Sequence, residues 1–177
     1  ESSTSGWKFC IKSWCATTQR RTRSGWEYAG LWEKQVWKTV GNSRIDIYLA
    51  KNEDSCFIEV KGVTLIVDGE ARFPDAPTER GAKHLKELIE LKKQGNRCVV
   101  FFLIQHPASN SFRPNWENDP IFSKTLNEAY DAGVEILVYK CDNQLGGIEL
   151  IFDVICHLDC WIIKGGYRPL KILAEID

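Results

Sequence analysis

Arg44-Ile-Asp-Ile-Tyr-Leu-Ala50 and Cys56-Phe-Ile-Glu-Val-Lys-Gly-Val-Thr-Leu-Ile-Val67, separated by the polar run from Lys51 to Ser55, decide the fold. Both runs are rich in β-branched and aromatic residues and flank a turn, so they read as the two strands of a hairpin. The second strand is expected to end near Val67, because Asp68-Gly69 is a turn signal and Glu70 to Phe73 suits a short returning strand.

Downstream, Pro74-Asp-Ala-Pro-Thr78 is a loop leading into a helix, with Asp75 or Thr78 as its cap and Glu79 favourably placed against the helix dipole. Ala82, Leu85, Leu88 and Ile89 give that helix an apolar stripe; it reaches about Gln94, where Gly95 stops it. Cys98-Val-Val-Phe-Phe-Leu-Ile104 is continuously apolar, the pattern of a central strand covered on both faces. Asp119-Pro120 opens a second helix that runs to Gly133, and Val134 to Tyr139 forms another strand. A strand, helix and strand of these lengths imply a parallel crossover, so the fold class is α/β, a mixed β-sheet flanked by helices. Upstream, Trp26, Tyr28, Leu31, Trp32 and Gln35 lie near helical spacing, which predicts a helix over residues 24–38. Gly147 to Ile155 suits one more strand, and the last 20 residues show no clear period.

The chain has 177 residues, 44% hydrophobic and 27% charged, enough to organise one core and to exclude a disordered or collagen-like chain. Its net charge of −1 hides an asymmetry. Through Arg44 there are eight Lys or Arg against three acids, net +5, leaving −6 for the rest, and five of the seven Trp fall within residues 1–37. Cations interleaved with aromatic rings suit a polyanion, since phosphates pair with the charges and bases stack on the rings; an amphipathic segment with solvated charges would look the same. Seven Cys, several inside apolar runs, read as buried reduced thiols of an intracellular, cytoplasmic protein. Cys10 and Cys15 with Cys156, His157 and Cys160 offer a zinc alternative, at spacings looser than ordinary zinc ribbons. The polar start lacks the apolar region of a signal peptide, and no apolar run is long enough to span a bilayer. The absence of any Met reads as a fragment or a processed product.

Asp46 sits in one strand of the hairpin, and Glu59 and Lys61 share one face of the other. If the turn sets the register, Asp46 lies beside them. Two carboxylates held together repel unless a cation sits between, and oxygen ligands select a hard divalent ion such as Mg²⁺ or Mn²⁺. Asp46, Glu59 and the Val60 carbonyl are the candidate ligands, with Lys61 placed to orient or deprotonate a water attacking a phosphodiester. A surface salt bridge would show the same residues at the same spacing. The flanking Ile45, Ile47, Phe57, Ile58 and Val60 argue against it, because they make these strands look buried, where unpaired carboxylates are costly.

Asn42-Ser-Arg-Ile-Asp46, Cys56 to Leu65, and above all Phe73-Pro-Asp-Ala-Pro-Thr-Glu-Arg-Gly-Ala-Lys-His-Leu85 closely resemble the sugar fermentation stimulation protein family, SfsA. The likeness continues through Val99 to Gln105, Asp119-Pro120 and Ala132 to Tyr139. It implies a restriction-endonuclease-like PD-(D/E)XK core over residues 36–150, with Asp46, Glu59 and Lys61 as the nuclease-type triad. Residues 1–35 then stand as a truncated or divergent remnant of an N-terminal DNA-binding region, and residues 151–177 as a divergent tail. The resemblance also departs at one point: where the family carries a Glu ahead of the Arg-Ile-Asp strand, this chain has Val36 beside Gln35. The implied function is DNA binding, without strong sequence specificity, by a protein with a Mg²⁺-dependent nuclease-like site. The alternative is a catalytically silent DNA-binding regulatory protein linked to sugar metabolism. Arg44, Arg80 and His84 are candidate phosphate contacts, although Arg80 and His84 equally suit a helix-surface pair beside Glu79 or Glu87. Thr78, Glu79 and Gln105 are secondary candidates, for which a helix cap and a loop-anchoring amide are the plainer readings.

Overall fold

The computed structural model describes residues 19–22, 25–28, 33–40, 43–51, 53–106, 108–144, 147–151, 155–158 and 161–164. Side chains are described for 38–40, 43–50, 53–106 and 108–140. The hairpin that decides the fold is β4 (Ser43–Lys51) and β5 (Asp54–Val63), antiparallel with Ile47 opposite Ile58 and Tyr48 opposite Phe57. β5 pairs on its other side, in parallel, with β8 (Arg97–Ile104), and β8 pairs in parallel with β10 (Glu135–Gln144). β3 (Glu33–Val40) borders β4 and β11 (Gly147–Ile151) borders β10, both antiparallel. The six-stranded sheet, in the order β11-β10-β8-β5-β4-β3, is therefore mixed, as the sequence predicts.

Helix α1 (Glu79–Lys93) fills the β5–β8 crossover and α2 (Pro120–Asp131) the β8–β10 crossover. Leu85, Leu88 and Leu91 of α1 and Phe122, Leu126 and Ala129 of α2 enter one core with Phe57, Val63, Val100, Phe102, Ile104 and Ile136 of the sheet. The two N-termini are tied together. Asp119, only 6% exposed, accepts the Phe122 N–H through Oδ1 at 2.8 Å, and its Oδ2 accepts the Thr78 N–H at 2.7 Å. Replacing Asp119 with Ala would strip the α2 cap and leave two buried-side N–H groups unpaired. The expected loss is about 2–4 kcal/mol of stability, read in urea as a lower midpoint at unchanged slope.

Three expectations need correction. The described residues of the span 24–38 are strands rather than a helix: β2 (Gly25–Tyr28) pairs with β1 (Gln19–Thr22), and β3 adds an edge to the main sheet. Backbone pairing to β4 supplies what a weak helical spacing could not. The strand expected to run to Val67 ends at Val63. Leu65–Val67 (β6) instead pairs with β7 (Glu70–Phe73) in a second sheet, in which β7 borders β9 (Ser111–Pro114), β9 borders β12 (Ile155–Leu158) and β12 borders β13 (Trp161–Lys164). The strand expected over Gly147 to Ile155 is described as β11 to Ile151, with β12 beginning at Ile155.

Cys56 and Cys98 are free and buried, and burial pushes both thiols up to about 12, which makes them packing residues rather than nucleophiles. Cys10, Cys15 and Cys160 lie outside the described residues, as do the side chains of Cys156 and His157, so the zinc alternative does too. No helix among the described residues is long and apolar enough to cross a membrane.

Candidate functional site

The β4 strand departs from strict alternation where it reaches Asp46. Ile45 and Tyr48 pack in the same core cluster, although period two would place them on opposite faces. Lys38, opposite Ile45 in the register, nonetheless sets its ammonium 3.6 Å from the centre of the Tyr48 ring. The described β4–β5 ladder begins at Ile47–Ile58, and continuing it would set Val60 against Ile45. The Asp46 carboxylate accepts the Val60 N–H there instead, Oδ2 at 3.0 Å. Within an extended strand the N–H and C=O of one residue point to the same side. The Val60 carbonyl accordingly faces the β4 side, where Asp46 is.

Glu59 and Lys61 project from β5 on the face that carries Phe57 and Val63, beneath α1. Glu59 is 2% exposed, and its two oxygens are treated unequally. Oε1 accepts from Lys61 Nζ at 2.9 Å and pairs with His84 Nδ1 from α1, while Oε2 is buried without a hydrogen-bond partner. Burial and the nearby Glu59 carboxylate hold the Asp46 carboxyl above its usual range, against the opposing pull of the Val60 N–H, Lys61 and His84. A bare buried carboxylate oxygen and a second carboxylate that its charge repels fit a bound cation, and an all-oxygen donor set fits a hard divalent one. Among the described residues no three His, Cys, Asp or Glu side chains are arranged to hold a metal, so the fit rests on two carboxylates and a backbone carbonyl.

The structure thus brings Asp46, Glu59, Val60, Lys61 and His84 together. Arg80 joins them from one turn earlier on α1, its Nε donating to His84 Nε2 at 3.4 Å, and it is exposed. Arg44 is exposed two residues before Asp46. Gln105 follows β8, donates its N–H to the Val63 carbonyl at 3.0 Å, and packs its amide so closely over Gly62 that a Cβ there would meet Nε2 at 2.9 Å. Strand alternation aims that Cβ away from the face of Glu59 and Lys61, so the Gln105 amide lies on the opposite face of β5 and the loop-anchoring reading is the one that fits. Thr78 is the α1 cap, its hydroxyl accepting the Gly81 N–H at 3.0 Å, and Glu79 is exposed in the first turn. What sequence reasoning missed is the His84–Glu59 contact. Residues 25 apart meet only through the rotation of α1, and the one available signal was a His at a position that interrupts the apolar stripe.

Comparison with known proteins adds to this geometry. The family model described as "Sugar fermentation stimulation protein RE domain" matches residues 16–147. The sugar fermentation stimulation protein homolog of Methanobrevibacter smithii is 71% identical over 135 residues, 71% of this chain and 56% of its own length. The homolog from Thermoanaerobacter sp. (strain X514) is 59% identical over 105 residues, 59% of this chain and 46% of its own. A solved structure of Pyrococcus furiosus SfsA in complex with Ca²⁺ matches at a TM-score of 0.64 and 33% identity, over 68% of this chain and 52% of that one. The chain spans about half the length of the curated relatives it matches.

Proposed function

The chain belongs to the sugar fermentation stimulation protein family, and from that premise we propose that it binds DNA and carries a Mg²⁺- or Mn²⁺-dependent, nuclease-like phosphodiester-hydrolysing site. The observation that carries the reading is Glu59: a buried carboxylate with one bare oxygen, whose charge helps raise the Asp46 carboxyl and which is flanked by a lysine. The Ca²⁺ named with the Pyrococcus furiosus relative supports a divalent cation as a ligand of this chain. Asp46, Glu59 and the Val60 carbonyl would hold the ion, whose chemistry is Lewis-acid polarisation of a phosphoryl oxygen and generation of a nucleophile from water at neutral pH. The protein's own groups have distinct tasks. Lys61, held at Nζ by Glu59 Oε1, orients a water as the ammonium, and takes that water's proton only as the neutral amine. Arg80 and Arg44, exposed at the site's border, bind phosphate oxygens and set the strand's register without reading bases, so affinity falls steeply with salt.

One observation favours the second reading, a catalytically silent DNA-binding regulator: Lys61 donates to Glu59 rather than standing clear of it. Incubation with single- and double-stranded DNA and Mg²⁺ or Mn²⁺ separates the two. Wild type is expected to cleave, with Lys61→Ala slower by about 10²–10⁴-fold and Glu59→Ala inactive. Cleavage retained by every variant would show contamination and sink the assignment; binding without cleavage in wild type would establish the silent reading.

A further inference from the structure

Lys61 already gives Glu59 a cationic partner, and it does so at Oε1. His84 adds a second donor to that same oxygen, while Oε2 stays buried and bare. A purely structural pairing gains most by spreading donors over both oxygens, since each unmet lone pair in a dry site is costly. The crowding of one oxygen is therefore the observation to explain. The imidazole's own geometry says which way the hydrogen points. Arg80 Nε donates to His84 Nε2 at 3.4 Å, so Nε2 is the acceptor and the ring hydrogen lies on Nδ1, toward Glu59. His84 is itself 3% exposed, and Leu85 and Leu88 of the same helix are anchored in the core, which fixes the ring's approach.

We infer that His84 is a positioning residue: its Nδ1–H holds Glu59 Oε1 and leaves Oε2 as the single oxygen offered to the divalent cation, with Arg80 fixing the tautomer from outside. The inference rests on the proposed cation site and deepens it, since it assigns α1, a helix that supplies no ligand, the task of setting ligand geometry. Partners of this outer kind orient the ligand before the ion arrives.

The test is Mn²⁺ binding by calorimetry on the full chain, with far-UV circular dichroism melting of every variant. His84→Leu is expected to bind about 10–100-fold more weakly, and His84→Asn, whose amide N–H takes the place of Nδ1–H, within about threefold of wild type. If His84→Leu fails to fold, His84→Gln replaces it, because its amide reaches the Nε2 position and leaves Oε1 without the donor. A metal-free readout accompanies these: the side-chain nitrogen resonances of His84 should report the Nδ1–H tautomer in wild type. A folded His84→Leu variant that binds Mn²⁺ like wild type, or an Nε2–H tautomer, would overturn the inference and leave the cation site standing. Wild type that binds no Mn²⁺ would overturn the cation site itself and the inference with it.

Discussion

Truncation of Phe102 to Ala is expected to cost the fold about 3–5 kcal/mol, a large part of the stability of an ordinary domain. Phe102 is fully buried in the central strand β8, with its ring 4.6 Å from that of Phe112 and 5.5 Å from that of Phe73. Phe73 in turn meets Phe122 edge-on at 5.2 Å. One aromatic cluster thereby joins the six-stranded sheet, the β7 and β9 strands of the second sheet, and α2. A hole at Phe102 removes the contacts with both strands of the second sheet and loosens the Phe73 ring that meets α2, and the surrounding strands are hydrogen-bonded on both sides, so collapse into the hole is restricted. Urea unfolding followed by tryptophan fluorescence would check the size of the effect. A loss under about 1 kcal/mol would mean that the second sheet does not depend on this contact. The same position matters for the site, because Phe102 lies beside Lys61 in the β5–β8 register.

The parts of this fold legible in the sequence are those where one local signal dominates. β4 and β5 are long, apolar and joined by a polar turn. β8 is an unbroken apolar run that pairs on both sides, and the helices carry their caps at Thr78 and Asp119 in plain view. Where local signals were short or mixed, tertiary pairing decided. β3 contains Glu, Lys and Gln in a sequence with some helical spacing, and becomes a strand because β4 offers an open ladder. β6 and β9, of three and four residues, are too short for any period to show, and β9 ends in a proline. β6 also follows β5 in one apolar run, so nothing local announces that the chain changes sheets at Thr64.

The site divides in the same way. Asp46, Glu59 and Lys61 were visible because they interrupt apolar strands, an anomaly that only a partner can offset. Their partners were not. That Asp46 takes the Val60 N–H depends on a local departure from alternation in β4, and that His84 reaches Glu59 depends on how α1 is rotated over the sheet. Both are properties of packing. Sequence spacing put Arg80 and His84 on one face of α1, and the structure shows that this face looks onto Glu59 through His84 alone, with Arg80 outside it.

Asp46→Asn and wild type should exchange their order of stability between chelator and divalent cation, and the exchange has two separable halves. Without a cation, the variant is expected to be more stable than wild type at neutral pH. Burial and Glu59 hold the Asp46 carboxyl above its ordinary 3.8, so the folded state binds its proton more tightly than the unfolded state does. The stability this confers is complete below the ordinary value and is lost as pH rises through the raised folded value. Asn carries no such charge and still presents an oxygen to the Val60 N–H, so it escapes the loss while keeping the contact. With a cation the order inverts. At an ion concentration 100-fold above its dissociation constant wild type gains about 2.7 kcal/mol, or roughly 5–10 °C in melting temperature for a chain of this size, whereas Asn, a weaker ligand, gains little. Thermal melts in chelator and in Mn²⁺, at neutral pH, read both halves. Equal cation-induced shifts in wild type and Asp46→Asn would remove Asp46 from the ion's coordination. A less stable variant in chelator would show instead that the carboxylate's hydrogen bond outweighs its repulsion by Glu59, so that the two acids coexist without help.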